Sequence, residues 1–237
     1  MADGDYERPG ARLAELARLK RIIAEANEKT PLVLVGAGDL GREVYARITC
    51  WPGFNDKYKI AGVIDDDLSR DKNVATPFLG TIADYQPTPG VLLVNSIGAS
   101  RTRARVYAAL KAKGGKFATL IAPNATVCQD AEIGEGALVF DNAVISANAK
   151  LGEDVLVHNM AVVGHDVTVG NDSVVEAFVF LGGHAEIGAG VQLHTRSTVL
   201  PSMKVGDNAV VGVSSTCLTD IPQGTTVFGT PAKPLKF

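Results

Sequence analysis

Apolar side chains recur at every sixth position over nearly half of this chain. Starting at Ile121, the steps fall on Val127, Ile133, Val139, Ile145, Leu151, Val157, Val163, Val169, Val175, Leu181, Ile187, Leu193, Val199, Val205, Val211 and Cys217. All are Ile, Val or Leu except the final cysteine, which rules out chance. Small residues precede the stripe by two (Ala125, Ala143, Ala161, Ser173, Ser197), and glycine often follows it (Gly134, Gly152, Gly164, Gly182, Gly212). An α-helix completes a turn in about 3.6 residues and cannot keep such a stripe on one face. A short strand, a corner and another short strand can, with glycine suited to a positive-φ corner and the small residue packing inside a narrow coil. Three such units close a triangular coil, so the stretch predicts about five stacked coils with strands roughly 4.8 Å apart.

The front of the chain has other periods. Leu13, Leu16, Leu19 and Ile23 share one helical stripe, predicting an amphipathic helix over residues 11–27 that Pro31 ends. A buried strand over 32–35, a glycine loop and a helix over 42–48 follow. A second strand over 60–64 runs into Asp65, Asp66 and Asp67, and a third over 91–94 precedes Gly98 and a helix to about residue 113. Gly114 and Gly115 stop that helix, and a strand over 117–121 leads into the first coil. This alternation predicts a small parallel α/β unit. The expected organisation is an N-terminal helical extension (1–30), a half-Rossmann unit (31–120) and a parallel β-helix (121–237).

Gly36, Gly38 and Gly41 spell G-x-G-x-x-G between strand and helix, with Asp65 at the end of the next strand. Such glycines let backbone amides and a helix N-terminus approach a phosphate or ribose. The unit is too short for the two mononucleotide halves of a hydride-transferring enzyme, so a mononucleotide or sugar nucleotide fits it better. A tight turn made for packing alone is the other reading.

Composition narrows the function. The chain is 46% hydrophobic and 21% charged, with a net charge of −3. That excludes dominant disorder and the basic footprint of a nucleic-acid binder. No apolar run is long enough to span a membrane, and the polar N-terminus lacks a signal-peptide layout, so a cytoplasmic protein is expected. Cys50, Cys128 and Cys217 are odd in number and far apart, against a disulfide framework.

These features join Gly164-His165-Asp166 and the ending Gly229-Thr230-Pro231-Ala232-Lys233. Together they make a chain that resembles the hexapeptide-repeat sugar acetyltransferases with an N-terminal Rossmann-like domain. That group includes N-acetyltransferases of nucleotide-linked amino-deoxy sugars and sialic acid O-acetyltransferases. The resemblance covers roughly residues 32–233. It implies a left-handed coil, acetyl-CoA as co-substrate, a UDP- or GDP-linked amino sugar as acceptor, and a homotrimer with sites between subunits. It also implies that His165 is the general base, Asp166 its acidic partner and Gly183 the source of an oxyanion-stabilising amide. Gly182, Gly183, Gly212, Val213, Pro231 and Lys233 would border the CoA. Gly36, Gly38, Asp39, Leu40, Gly41, Asp65, Asp66, Gly98 and Arg103 would meet the nucleotide sugar, with Arg101 a further phosphate contact.

The chemistry is consistent with that assignment. Imidazole titrates near neutrality and can take a proton from an attacking amine or hydroxyl. All four histidines (His158, His165, His184, His194) lie in the repeat, and none is on the interior stripe. Counting in eighteens stacks Asp166, His184 and Ser202 in one column and His158, Glu176 and His194 in another. The second column departs from the family pattern at His194, where a small or polar residue is usual, and Val174 stands where a second histidine is usual. His158 and His194 have the two-coil spacing of a γ-carbonic anhydrase zinc site, but Val199 fills the third ligand's place, so no metal is expected. Sugar O-acetylation and a non-catalytic solenoid are the competing functions.

Overall fold

The computed structural model describes residues 29–235; the helix expected over 11–27 lies outside them. Strands β1 (Thr30–Val35), β2 (Tyr58–Ile64) and β3 (Leu92–Asn95) form a parallel sheet in the order β2-β1-β3. Their Val, Leu and Ile runs are buried, as suits parallel strands covered on both faces. Helix α1 (Asp39–Cys50) follows β1, a single turn α2 (Phe54–Lys57) precedes β2, and α3 (Ser100–Ala112) follows β3. Helix α1 begins earlier than expected because the extended Gly38 caps it and Asp39 places a carboxylate in its first turn. Helix α3 ends where predicted, at Gly114 in the left-handed region (φ 85°). Only Leu120–Ile121 of the expected strand over 117–121 is a strand; Phe117 makes a lone bridge to Leu93.

From Leu120 to Cys217 the chain is a parallel β-solenoid of two-residue strands, with each rung paired to the one 18 residues away, such as Leu156 with Leu138 and Val174. Three ladders form its faces. The first has eight strands, of which the last, Lys233–Pro234, is antiparallel; the second has six and the third five. The coil runs past the end of the sequence stripe. After Cys217, Ile221 bridges to Val205 and Val227 pairs with Val211, so a shortened corner breaks the six-residue period while the core continues. The stripe is fully buried from Val139 on, but Ile121 is 39% exposed because the first coil is covered on one side only.

One expectation about glycine is corrected. The left-handed corners fall three residues after the stripe, on Asn142, Asp154, Asp166, Asp172, His184 and Ser202 among others. The glycines directly after the stripe serve contact between coils. A Cβ on Gly164 would stand 2.6 Å from Leu181 O, and one on Gly182 2.5 Å from Pro201 N.

The three outer faces differ in chemistry. The third carries charge ladders, Lys150–Glu132 at 2.8 Å and Lys204–Glu186 at 2.9 Å. The second presents Val144, Val162 and an exposed Phe180. On the first, Leu120, Leu138, Leu156 and Val174 share a buried cluster with Leu32, Leu34 and Val44, so the α/β unit sits on its lower rungs. Among the described residues nothing covers the higher rungs of that face as it does the lower ones.

A buried ion pair fixes this seat and corrects the expectation for Arg103. Its guanidinium is fully buried, with Nη2 2.8 Å from Asp154 Oδ1, Nε donating to Asp154 O at 2.7 Å and Nη1 donating to Asn95 O at 2.7 Å. Asn95 Nδ2 donates to the other Asp154 oxygen at 2.7 Å. Helical periodicity explains the error, since Arg103 shares the inward face of α3 with Val106, Tyr107 and Leu110, leaving Arg101 and Arg105 outside. Burial pushes the Asp154 carboxyl up, and the Arg103 charge pulls it back. Arg103 therefore holds the two parts of the chain together and has no surface to offer a substrate.

Candidate active site

The corner between the second and third faces assembles the residues expected to act on the acyl group. His165 Nδ1 lies 2.8 Å from Asp166 Oδ2, and Asn148 Nδ2 donates to Asp166 Oδ1 at 3.2 Å. The hydrogen bond from His165 is the largest influence holding the Asp166 carboxyl below its ordinary range, so the imidazole rests against an anion. Asp166 sits in the left-handed region at φ 60°, a conformation Asp tolerates better than most residues. One coil up, Gly183 lies under the ring, where a Cβ would be 2.5 Å from His165 Nε2. The Gly183 N–H has no acceptor among the described residues. His184 crosses His165 edge-on, with ring centroids 5.0 Å apart. His165, Asp166 and His184 offer ligand atoms within 4.8 Å of one another, so this trio of two exposed histidines and a half-buried aspartate is the group among the described residues with metal-binding spacing. The His158–His194 column does not form such a group. Cys217 is buried and its thiol is pushed up to about 11 by burial, consistent with core packing.

The glycine loop, Asp66 and Gly98 gather elsewhere. A groove of about 560 Å³ runs between Gly36, Gly38, Asp66, Arg70, Gly98 and Arg105. Gly36 requires glycine for its φ of 105°, and a Cβ on Gly41 would stand 2.2 Å from Gly36 O, whereas Gly38 has room. Gly41→Ala is therefore expected to destabilise the fold by about 1–3 kcal/mol, and Gly38→Ala to stay within about 0.5 kcal/mol. Denaturant titration checks this, and equal effects would contradict the packing account.

Asp65 also lines this groove, and its carboxylate has partners within the chain. Its Oδ2 accepts from the Ala37 N–H at 2.7 Å and its Oδ1 from the Asp67 N–H at 2.8 Å. The carboxylate is spent on its own loop, tying the glycine turn to the end of β2, and Asp66 is the exposed acid beside it.

Asp39, Leu40, Gly98 and Ala99 continue from this groove into a cleft of about 750 Å³ over the first face. Arg101, Glu43, His158, Glu176, Gln192 and His194 also line that cleft. The Ser100 N–H donates to Gln192 Oε1 at 3.0 Å, a join between α3 and the solenoid that sequence spacing could not reveal. His165 is not part of the cleft, since it belongs to another corner. The residues expected to border CoA divide in the same way. Gly182 and Gly183 flank His165, while Gly212 and the exposed Val213 follow the first face. Gly212 leaves room for Phe228, whose Cδ2 would be 2.3 Å from a Cβ there. Pro231 and Lys233 are exposed at the end of the solenoid.

Residues 148–183 match the bacterial transferase hexapeptide (six repeats) family model. Comparison with curated protein sequences finds no match. Among solved structures, the acetyltransferase domain of PglB from Neisseria gonorrhoeae is 28% identical with a TM-score of 0.80, covering 87% of this chain and 100% of that one. The same domain in complex with acetyl coenzyme A gives 28% identity and a TM-score of 0.76, over 87% of this chain and 100% of that one. PerB from Caulobacter crescentus, in complex with CoA and GDP-perosamine, shares the fold at 23% identity and a TM-score of 0.76, over 87% of this chain and 97% of that one. The repeat, the solenoid and the N-terminal α/β unit together are similar to those of hexapeptide-repeat acetyltransferases with a Rossmann-like front domain. The sequence resemblance implied that class.

Proposed function

We propose that this protein transfers the acetyl group of acetyl-CoA to the amino group of a UDP- or GDP-linked amino-deoxy sugar. The observation that carries the reading is the His165–Asp166 pair packed over Gly183, on a fold matched along its length by an acetyltransferase domain. Asp166 accepts the Nδ1 proton and leaves Nε2 of His165 as the base. The sugar nitrogen attacks the thioester carbon, Nε2 takes the proton released by nitrogen, and the C–S bond breaks to expel CoA thiolate, which can be protonated in turn. The unpaired Gly183 N–H is suited to the oxyanion formed in between. No protein nucleophile is needed.

In this reading residues 31–120 hold the nucleotide, with Arg70, Arg105 and the loop amides near phosphate and Asp66 near the ribose or base. Residues 121–237 hold the acetyl donor along Gly182, Gly183, Gly212, Val213, Pro231 and Lys233. The cleft and His165 lie on different corners of one chain, so a single copy has both halves of the site but does not join them. A homotrimer joins them: the second face, which carries Val162 and Phe180 and is uncovered among the described residues, is the surface for a second copy. Consumption of acetyl-CoA fits the expected cytoplasmic location. Thiol release from acetyl-CoA, followed over a panel of UDP- and GDP-linked amino sugars, tests the reading. At least one sugar is expected to drive release, and silence across the panel contradicts it.

A further inference from the structure

A second imidazole–carboxylate pair lies in the cleft itself. Glu176 Oε1 accepts from His194 Nδ1 at 2.8 Å and from Gln192 Nε2 at 3.0 Å. Its Oε2 accepts from the N–H and the hydroxyl of Thr195, each at 2.9 Å. All four lone-pair directions of the carboxylate are thereby used. Burial works to raise this carboxyl, but the hydrogen bonds from Thr195 and His194 outweigh it and hold Glu176 below the usual carboxylate range.

An acceptor-only carboxylate places the imidazole proton on Nδ1 and leaves a lone pair on Nε2. Among the described residues, His194 Nε2 has no partner, and the side chain is 41% exposed where it lines the cleft. Gln192 and Thr195 already secure Glu176, so an internal network would be complete without an open nitrogen. The same network reaches Ser100 through Gln192, next to Gly98 and Ala99 where groove and cleft meet. Asp39 and Glu43 add acceptors to the cleft, against Arg101 as its one lining cation among the described residues. Such a surface favours hydroxyl or ammonium donors over phosphate, which suits the arginine-bearing groove beside it.

We propose that His194, oriented by Glu176, reads the sugar of the nucleotide sugar by accepting a hydrogen bond from one of its hydroxyl or amino groups at Nε2. It is a specificity-determining contact, distinct from the base at His165, and it rests on the functional reading above. The test compares His194→Ala and His194→Asn with the unaltered full chain. It uses calorimetry with UDP or GDP, and steady-state kinetics with the nucleotide amino sugar that the unaltered chain turns over. His194→Ala is expected to raise KM for the nucleotide sugar about tenfold, the worth of one hydrogen bond, and to leave Kd for the nucleoside diphosphate and KM for acetyl-CoA within about twofold. The Asn variant, which restores an acceptor, should recover part of the loss. An unchanged KM, or an equal loss for diphosphate and sugar nucleotide, overturns the assignment. If the unaltered chain neither binds a nucleotide nor releases CoA, the functional reading falls and takes this one with it.

Discussion

His165→Ala is expected to lower acetyl transfer by about 10²-fold or more while leaving the fold intact. The imidazole side chain is 60% exposed, and its polar contact in the chain is with Asp166. Removing it uncovers Gly183 without opening a cavity, because the solenoid core lies on the opposite side of the backbone. What disappears is the group proposed to take the amine proton, so kcat should fall while binding of acetyl-CoA and of nucleoside diphosphate persists. Steady-state kinetics with a melting curve on the same preparation separates these effects. Turnover equal to that of the unaltered chain would refute the base assignment.

Arg103→Met should act on stability instead, at a cost of about 3–5 kcal/mol, because it strands the Asp154 carboxylate inside the protein. The guanidinium also satisfies three backbone carbonyls, Asp154 O, Asn95 O and Ile97 O, which methionine leaves bare. Replacing Arg103 and Asp154 together with apolar residues of similar volume should be milder than the single change, since no unpaired charge remains. Urea denaturation checks both variants. A stable Arg103→Met protein that had lost nucleotide affinity would return Arg103 to the substrate site.

The architecture was legible because its cause is periodic. A coil that admits one aliphatic side chain per edge writes that constraint into every sixth residue, from Ile121 to Cys217. The period fails where geometry changes locally, at the shortened corner before Ile221, although the core continues to Val227 within the expected β-helix. The glycines after the stripe were read as turn formers, although the next coil's backbone is what excludes a Cβ. Arg103 misled for a related reason: a charged residue in a motif looks available, and only the fold reveals that Asp154 already claims it. The His165–Asp166 pair was readable because the two are adjacent in sequence. The link from Ser100 through Gln192 and Glu176 to His194 was not, because it joins residues brought together only when α3 docks on the first face.

The most direct test of the central claim is the mass and linkage of the product formed from acetyl-CoA and a nucleotide-linked amino sugar. The account predicts one added acetyl group on the sugar nitrogen, resistant to hydroxylamine, formed by the unaltered chain and nearly absent with His165→Ala. A hydroxylamine-labile ester, or an unmodified sugar beside intact acetyl-CoA, would contradict it.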